Sequence, residues 1–425
     1  MKNAKTTTGK RTLALIAMGT LLLSVYGGVQ GVLVPQATTA YAAVSSEDGT
    51  VQFTGTEQVA PGVTYRSFRV ITSHGSAAGH LVDADLNNPK VELDLLHPDV
   101  VAQREPVSQM ADEQHAVAGV NGDFFNISET HEGVAPTNSS VGPEIADGES
   151  LKAAVPNGQR FGPGLPAGTS TQDVFGLGVD GRARVSSLTL KGQVRTKNGL
   201  FDLDGLNQYA LPVNGVGVYT HDWGATSRVR PTCGTDTNRN ALCSTDTLEI
   251  TVQNGIVTSI NSQPGAGVIP DDTIVLVGRE GGVDELSGFK LGDRVKVDYR
   301  LVTKDAPRFE FAVGGFPILR DGQPLNSLDD TTLAPRTSAG VSEDGRHVYL
   351  AVLDGRAAAS VGMSVSELAQ LMWSFGAHDA VNLDGGGSST LAALQPGEQK
   401  VTVKNTPSDG SERSVANGIG VFVRH

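Results

Sequence analysis

Two aspartates each follow an apolar run and precede a glycine. Asp354 ends Val348-Tyr349-Leu350-Ala351-Val352-Leu353, and Asp384 ends Ala380-Val381-Asn382-Leu383. A carboxylate delivered by a strand into a flexible turn is placed to act as base, nucleophile or charge stabiliser, and two of them allow paired-carboxylate chemistry. Taken alone, an Asp-Gly after a strand is more often a turn. Asp384 opens the run Gly385-Gly386-Gly387-Ser388-Ser389-Thr390, where bare backbone N–H groups and small hydroxyls let a ligand approach closely. The run is not a P-loop, because no Lys follows its glycines, and no G-x-S-x-G pattern marks its serines as nucleophiles. A tight turn between strands is its plainer reading.

Further candidates surround these two. Arg336, in Pro335-Arg336-Thr337, offers a planar fork suited to bidentate recognition of phosphate or carboxylate, with a salt bridge as the even alternative. Arg356 follows Asp354-Gly355. Gly315, in Val313-Gly314-Gly315-Phe316-Pro317, allows close backbone approach beside a ring that either lines a cleft or packs in the core. Asn121-Gly122-Asp123-Phe124-Phe125 leaves a strand with an amide, a carboxylate and two rings, a combination that suits sugar contact. The nine His residues show no H-x-x-x-H or E-x-x-H spacing, so no metal site and no cofactor is expected.

The elements needed to position these groups are legible nearby. Ser364 and Glu367 form a capping box, and Val365, Leu368, Ala369, Leu371, Met372 and Phe375 recur at helical spacing before Gly376. A strand-helix-strand unit is therefore expected near the C-terminus. If its two strands are parallel neighbours, a right-handed crossover brings Asp354 and Asp384 to the same sheet edge. Alternating runs between Val51 and Val101 read as strands, and residues 108–114 read as a short helix. Residues 129–170, rich in Gly, Pro, Asn and Ser, read as long ordered loops or a lid. Residues of about 180–305 read as a β-rich insertion. The expected class is α+β, a β-rich mixed-sheet core carrying that insertion.

The 425 residues include 52 Gly and 20 Pro, a turn-rich globular composition, with a net charge of −13. Such an acidic surface disfavours nucleic acid as a partner. Lys2, Lys5, Lys10 and Arg11 precede an apolar stretch from Leu13 to Leu23, and Ala40-Tyr41-Ala42 is an A-x-A pattern. Residues 1–42 are thus expected to be a signal peptide, with an uncleaved anchor as the alternative, giving a secreted protein with no stable membrane insertion after cleavage. In an oxidising compartment Cys233 and Cys243 are expected to pair as a disulfide. The nearest His in sequence, His221, is too far upstream for a familiar zinc spacing.

Taken in order, Asn121-Gly122-Asp123-Phe124-Phe125, Gly314-Gly315-Phe316-Pro317, Pro335-Arg336-Thr337, Asp354-Gly355-Arg356, Asn382-Leu383-Asp384-Gly385-Gly386-Gly387-Ser388-Ser389-Thr390 and Asn417-Gly418-Ile419-Gly420-Val421-Phe422 resemble the phosphodiester glycosidase family. The resemblance implies a family domain over residues 118–425, interrupted by the insertion, after an N-terminal β-rich segment of residues 43–117. It implies hydrolysis of a sugar-1-phospho-sugar or similar glycosyl phosphodiester at the anomeric C–O bond, with an envelope glycan among the candidate substrates. On that reading Asp354, Asp384 and Arg336 are catalytic. Asn121, Phe125, Gly315, Arg356, Asn382, Gly386, Gly387, Ser388 and Ser389 contact substrate. Asp123 is set aside, because many relatives carry Gly there. Two other classes remain open, a non-catalytic glycan-binding module and a metal-assisted phosphodiesterase cutting P–O instead.

Overall fold

The computed structural model describes residues 50–424 except 198 and 305, so the expected leader over 1–42 lies outside the described residues. The largest sheet has eight strands. In spatial order they are Val51–Ala60, Val63–Thr72, Gly75–Asp85, His347–Leu353, Arg336–Val341, Asp379–Asn382, Phe316–Arg320 and Gln323–Pro324. Each neighbouring pair is antiparallel.

Both faces of this sheet are covered, which is why its central strands read as unbroken apolar runs rather than alternating ones. One face packs Phe68, Leu81, Ala351 and Leu353 against Val365, Leu368 and Met372 of the Val365–Ser374 helix. That helix begins with the expected capping box between Ser364 and Glu367. The other face packs Val82, Leu350, Val352 and Val381 against Leu95, Val120, Leu391 and Ile419 of a second, five-stranded sheet. The second sheet has the order Val401–Val403, Leu391–Leu394, Ala118–Asn121, Gly418–Val423 and Val91–Leu96.

The segment preceding the second sheet's Ala118–Asn121 strand forms the short Val107–Glu113 helix. In the middle of the chain, residues 189–302 supply a three-stranded sheet and another of five strands. Their core includes Leu206, Val218, Ile250, Leu276 and Leu286. The remaining sheet joins Glu144–Ala146, Glu149–Lys152, Asp173–Gly178 and Ala183–Ser187 to Phe309–Gly314. The architecture is β-rich, with several sheets and few helices. Among the described residues, no helix is long and apolar enough to cross a membrane.

One expectation about topology needs correction. The His347–Leu353 and Asp379–Asn382 strands are parallel to each other but are not neighbours, because Arg336–Val341 lies between them, antiparallel to both. The sequence marks that strand only weakly, with Thr337, Ser338 and Gly340 interrupting its apolar character. Its interposition still leaves Asp354 and Asp384 at one sheet edge, with Arg336 starting the strand between them. Two strand spacings separate the aspartate backbones by roughly 10 Å.

Candidate active site

At the end of the Asp379–Asn382 strand the chain leaves the sheet. The Leu383 N–H still donates to the Thr337 carbonyl at 2.9 Å, but the Asp384 N–H donates to the Gly122 carbonyl, also at 2.9 Å. Asn121, fully buried, fixes this departure from below. Its Nδ2 donates to the Asp384 carbonyl at 2.7 Å, and its Oδ1 accepts from Thr337 Oγ1 at 2.7 Å and the Thr390 N–H at 3.0 Å. A side chain so fully engaged supports the loop rather than presenting itself to a ligand.

The Asp384 residue remains partly exposed. Its Oδ1 accepts from the Gly385 N–H at 2.9 Å. Burial pushes its carboxyl up to about 7, and nearby Asp123 adds to the rise. The Ser388 hydroxyl, the Gly385 N–H and the Arg413 charge oppose it. Near neutral pH the group is divided between acid and carboxylate, the state that suits general acid–base catalysis. The glycines after it are closely packed, Gly385 against the Pro335 carbonyl and the next two against charged side chains. A Cβ at Gly387 would lie 2.1 Å from both Arg413 Nη2 and Asp409 Oδ2, so no larger residue fits there without displacing that pair. Arg413 donates to Ser388 Oγ at 3.3 Å and pairs with Asp409 at 2.5 Å. Arg356, exposed and in the left-handed region at φ 58°, lays its guanidinium beside Gly386.

The other two residues read as catalytic are engaged differently. Arg336 lies on the helix-covered face, where its Nε donates to the Met363 carbonyl at 2.8 Å and its Nη2 to the Thr332 carbonyl at 2.5 Å. Burial lowers its pKa first, and Asp329 and Glu367 offset that loss while Arg356 adds to it. Asp354 Oδ1 accepts from the Thr406 N–H at 2.9 Å, and its Oδ2 lies 3.6 Å from His80 Nε2. His80 Nδ1 is in turn 2.8 Å from the Tyr65 hydroxyl. Next to Thr406, Asn405 donates to the Ser389 carbonyl at 2.9 Å and accepts from the Leu391 N–H at 2.9 Å. Asp354 thus anchors the segment that cradles the glycine loop and leads on to Arg413.

Among the expected substrate contacts, Gly386 and Gly387 lie in the loop with Asp384, and the Ser388 hydroxyl reaches its carboxylate. Gly315 lines a small cavity with Asp123, Arg160 and Phe316. Phe125 is buried in a separate core with Val107, Met110 and Ala392. Asn382 and Ser389 are buried too, and among the described residues neither the Asn382 Oδ1 nor the Ser389 hydroxyl has a hydrogen-bond partner. Phe124, one residue earlier than Phe125, instead stacks on Phe316 and carries the Arg160 guanidinium.

Three charged groups near the site went unrecognised or were set aside in the sequence. Asp123 is buried, its Oδ1 accepting from the Phe124 N–H at 2.8 Å and its Oδ2 from the Gly142 N–H at 2.5 Å. Burial pushes it up to about 6 against the pull of the Gly142 N–H, Lys152 and Arg160. Lys152, also buried, donates to the Val141, Gly142 and Ala153 carbonyls. Burial lowers its pKa to about 8, while Glu144 and Asp123 hold it up. Arg160 comes from the loop region, where an isolated Arg carries no sequence signal. The expected Cys233–Cys243 disulfide is present. The fold also brings in His131, far away in sequence, beside the two sulfurs.

A carboxyl raised by burial thus stands on a glycine-rich turn, with Arg356 and the Arg413–Asp409 pair beside the same turn, at one edge of a two-sheet core. Residues 246–422 match the sequence model of the phosphodiester glycosidase family. That span holds Gly315, Arg336, Asp354, Arg356 and the whole Asp384 loop, but begins inside the stretch read as an insertion and leaves Asn121–Phe125 outside. No curated protein matches the chain. Among solved structures, a hypothetical protein from Synechocystis is similar over 87% of this chain, with TM-score 0.67 and 22% identity; the match covers 63% of that protein's length. A Burkholderia pseudomallei protein described as exported matches 91% of this chain and 98% of its own, with TM-score 0.67 and 19% identity. These two share the fold. The catalytic domain of zebrafish N-acetylglucosamine-1-phosphodiester α-N-acetylglucosaminidase, auto-inhibited by its pro-peptide, aligns over 89% of this chain and 88% of its own at TM-score 0.42 and 16% identity, too distant to bear on the site.

Proposed function

We propose that the protein hydrolyses a glycosyl phosphodiester at the anomeric C–O bond, releasing a free sugar and a phosphomonoester. The observation that carries this reading is Asp384. It is a carboxyl held near neutrality at the mouth of a glycine-rich turn, with Arg356 and Arg413 packed against the same glycines. A phosphomonoester is a good leaving group that needs little proton donation. The site must chiefly stabilise phosphate charge and an oxocarbenium-like carbon. Asp384 is placed to act at that carbon, as nucleophile or as base toward water, with the Arg356 and Arg413 guanidinium groups beside its glycine turn.

In the balanced reaction, oxygen from water becomes bonded to C1, the C1–O bond to phosphate breaks, and the phosphate leaves with its bridging oxygen. Asp354, tied to Thr406, organises the loop that embraces the site rather than sharing the chemistry with Asp384. Asn121, Asn382 and Phe125 support it from within the core. A location outside the cytoplasm accords with the Cys233–Cys243 disulfide and with the leader read in the sequence.

The test is hydrolysis of a sugar-1-phosphodiester in ¹⁸O-water, with products taken to mass spectrometry before the sugar oxygen exchanges. Label in the sugar and none in the phosphomonoester is expected. Label in the phosphate would put the attack at phosphorus and overturn the reading.

A further inference from the structure

The loop that carries Arg160 is built around a cation with unused donors. The Arg160 guanidinium carbon lies 5.4 Å from the Phe124 ring centroid and 5.6 Å from that of Phe316. Those two rings stack with centroids 6.0 Å apart and planes 14° from parallel. Gly162, at φ 93°, lets the chain settle onto this ledge, since a Cβ there would sit 2.3 Å from Phe124 Cδ1. Aromatic faces hold a cation in place without consuming its N–H groups.

Among the described residues the Arg160 guanidinium donates no hydrogen bond, and its Nε is fully buried without a partner. Its acidic neighbour Asp123 does not take up those donors; its two oxygens each accept a backbone N–H. A half-buried fork with no acceptor in its own chain is costly to maintain unless a ligand supplies one. The link to Asp384 is short: the Asp384 N–H donates to the carbonyl of Gly122, two residues before the Phe124 ring on which Arg160 rests.

Beside Arg160 lies a shallow surface depression, open to solvent, of about 440 Å³, lined by Asn157, Gly158, Gly162, Leu165, Asp236 and Thr237 among others. Its volume is in the range of small-ligand sites. Asp236 and Thr237 belong to the loop closed by the disulfide, and that loop grips the segment bearing Arg160 at several points. The Gly158 N–H donates to the Asp236 carbonyl at 2.9 Å, and Gln159 Nε2 donates to the Thr235 carbonyl at 2.7 Å. Arg239 donates to the Arg160 carbonyl at 2.7 Å while lying 4.0 Å from the Phe161 ring centroid.

We propose that Arg160 binds the phosphate of the substrate, that the adjoining depression receives the group esterified to that phosphate, and that the Cys233–Cys243 loop is the positioning element of this subsite. The proposal rests on the glycosyl phosphodiester reading for the identity of the anion. It deepens that reading by assigning a subsite to the leaving group. A guanidinium engages two phosphate oxygens at once, so Lys cannot replace it fully.

Two readouts test it, each with Arg160→Met and Arg160→Lys proteins whose melting temperatures match the wild type. Calorimetric titration with a sugar 1-phosphate should show binding to the wild type, weaker binding to R160K and none to R160M. Turnover of a sugar-1-phosphodiester should show kcat/KM reduced about 10²-fold in R160M. Reducing the disulfide should raise KM more than it lowers kcat. Phosphate binding that R160M leaves intact, or unchanged kcat/KM in R160M, would overturn the subsite while leaving the reaction standing. Arg160-dependent phosphate binding by a wild-type protein that hydrolyses no phosphodiester would do the reverse.

Discussion

Asp354 and Asp384 occupy matching places at one sheet edge, each following a parallel strand and preceding glycine, yet the fold turns them to different uses. The Asp354 Oδ1 accepts from the Thr406 N–H, while its Oδ2 lies 3.6 Å from His80 Nε2. Asp384 keeps an oxygen toward the Ser388 hydroxyl and stands among arginines, with burial and the nearby Asp123 holding it near neutrality. The same Leu-Asp-Gly step therefore meets two different surroundings, and we propose the anchor's role for the first and the reactive one for the second. What separates them is what other parts of the chain bring to each: the Gly75–Asp85 strand and the segment around Thr406 to Asp354, the Asn121–Asp123 turn to Asp384.

The sharpest way to break this contrast is to neutralise each aspartate in turn. Asp384→Asn should lower kcat on a sugar-1-phosphodiester about 10³-fold while its circular dichroism spectrum stays native. Asp354→Ala should cost activity only about tenfold but lose roughly 1–3 kcal/mol of stability, because the Thr406 N–H loses its acceptor. Denaturant unfolding and steady-state kinetics on both proteins settle the assignment. Equal catalytic losses at undiminished stability would make them a true catalytic pair.

The titration of Asp384 gives a second handle. Its folded pKa, about 7, lies above the ordinary carboxylate value, as does that of Asp123 at about 6. A folded state that holds its proton longer than the unfolded chain is most favoured below the unfolded value, and that advantage is lost as pH rises through the folded one. Between about pH 4 and 7 these two groups should make stability fall with rising pH, and Asp384→Asn should flatten part of that slope in melting curves taken across the range. The smallest effect is expected of Ser388→Ala. Removing a hydroxyl that lowers the Asp384 pKa should move the corresponding limb of the rate profile upward by under one pH unit. An unmoved limb would detach that limb from Asp384.

Much of this frame was readable in the chain itself. The capping box, the two strands that deliver the aspartates, the glycine run and the paired cysteines each carry a local signature that survives into the structure. The weakly patterned Arg336–Val341 strand was harder, because nothing in either flanking strand says what lies between them. Phe124 and Phe125 show the limit at its finest grain. Adjacent rings go to different cores, Phe124 to stack on Phe316 and Phe125 to pack with Val107 and Met110, a difference nothing in their sequence marks. Asp123 and Arg160 were obscure for a related reason. Their environments are assembled from Gly142, Lys152 and the disulfide loop, which no spacing rule connects to them.

Asn121 has a consequence for how the molecule comes to life. Its amide joins residue 121 to Asp384 and Thr390, and Asn417 closes the same corner by accepting from the Asp123 N–H at 2.8 Å. These contacts span most of the chain, and loop closure over such separations is slow compared with local helix or hairpin formation. A growing or partly threaded polypeptide therefore has the parts of the site without the site. The corner around Asp384 should therefore be complete only after the Gly418–Val423 strand has found its neighbours, and any activity of the site should appear with it.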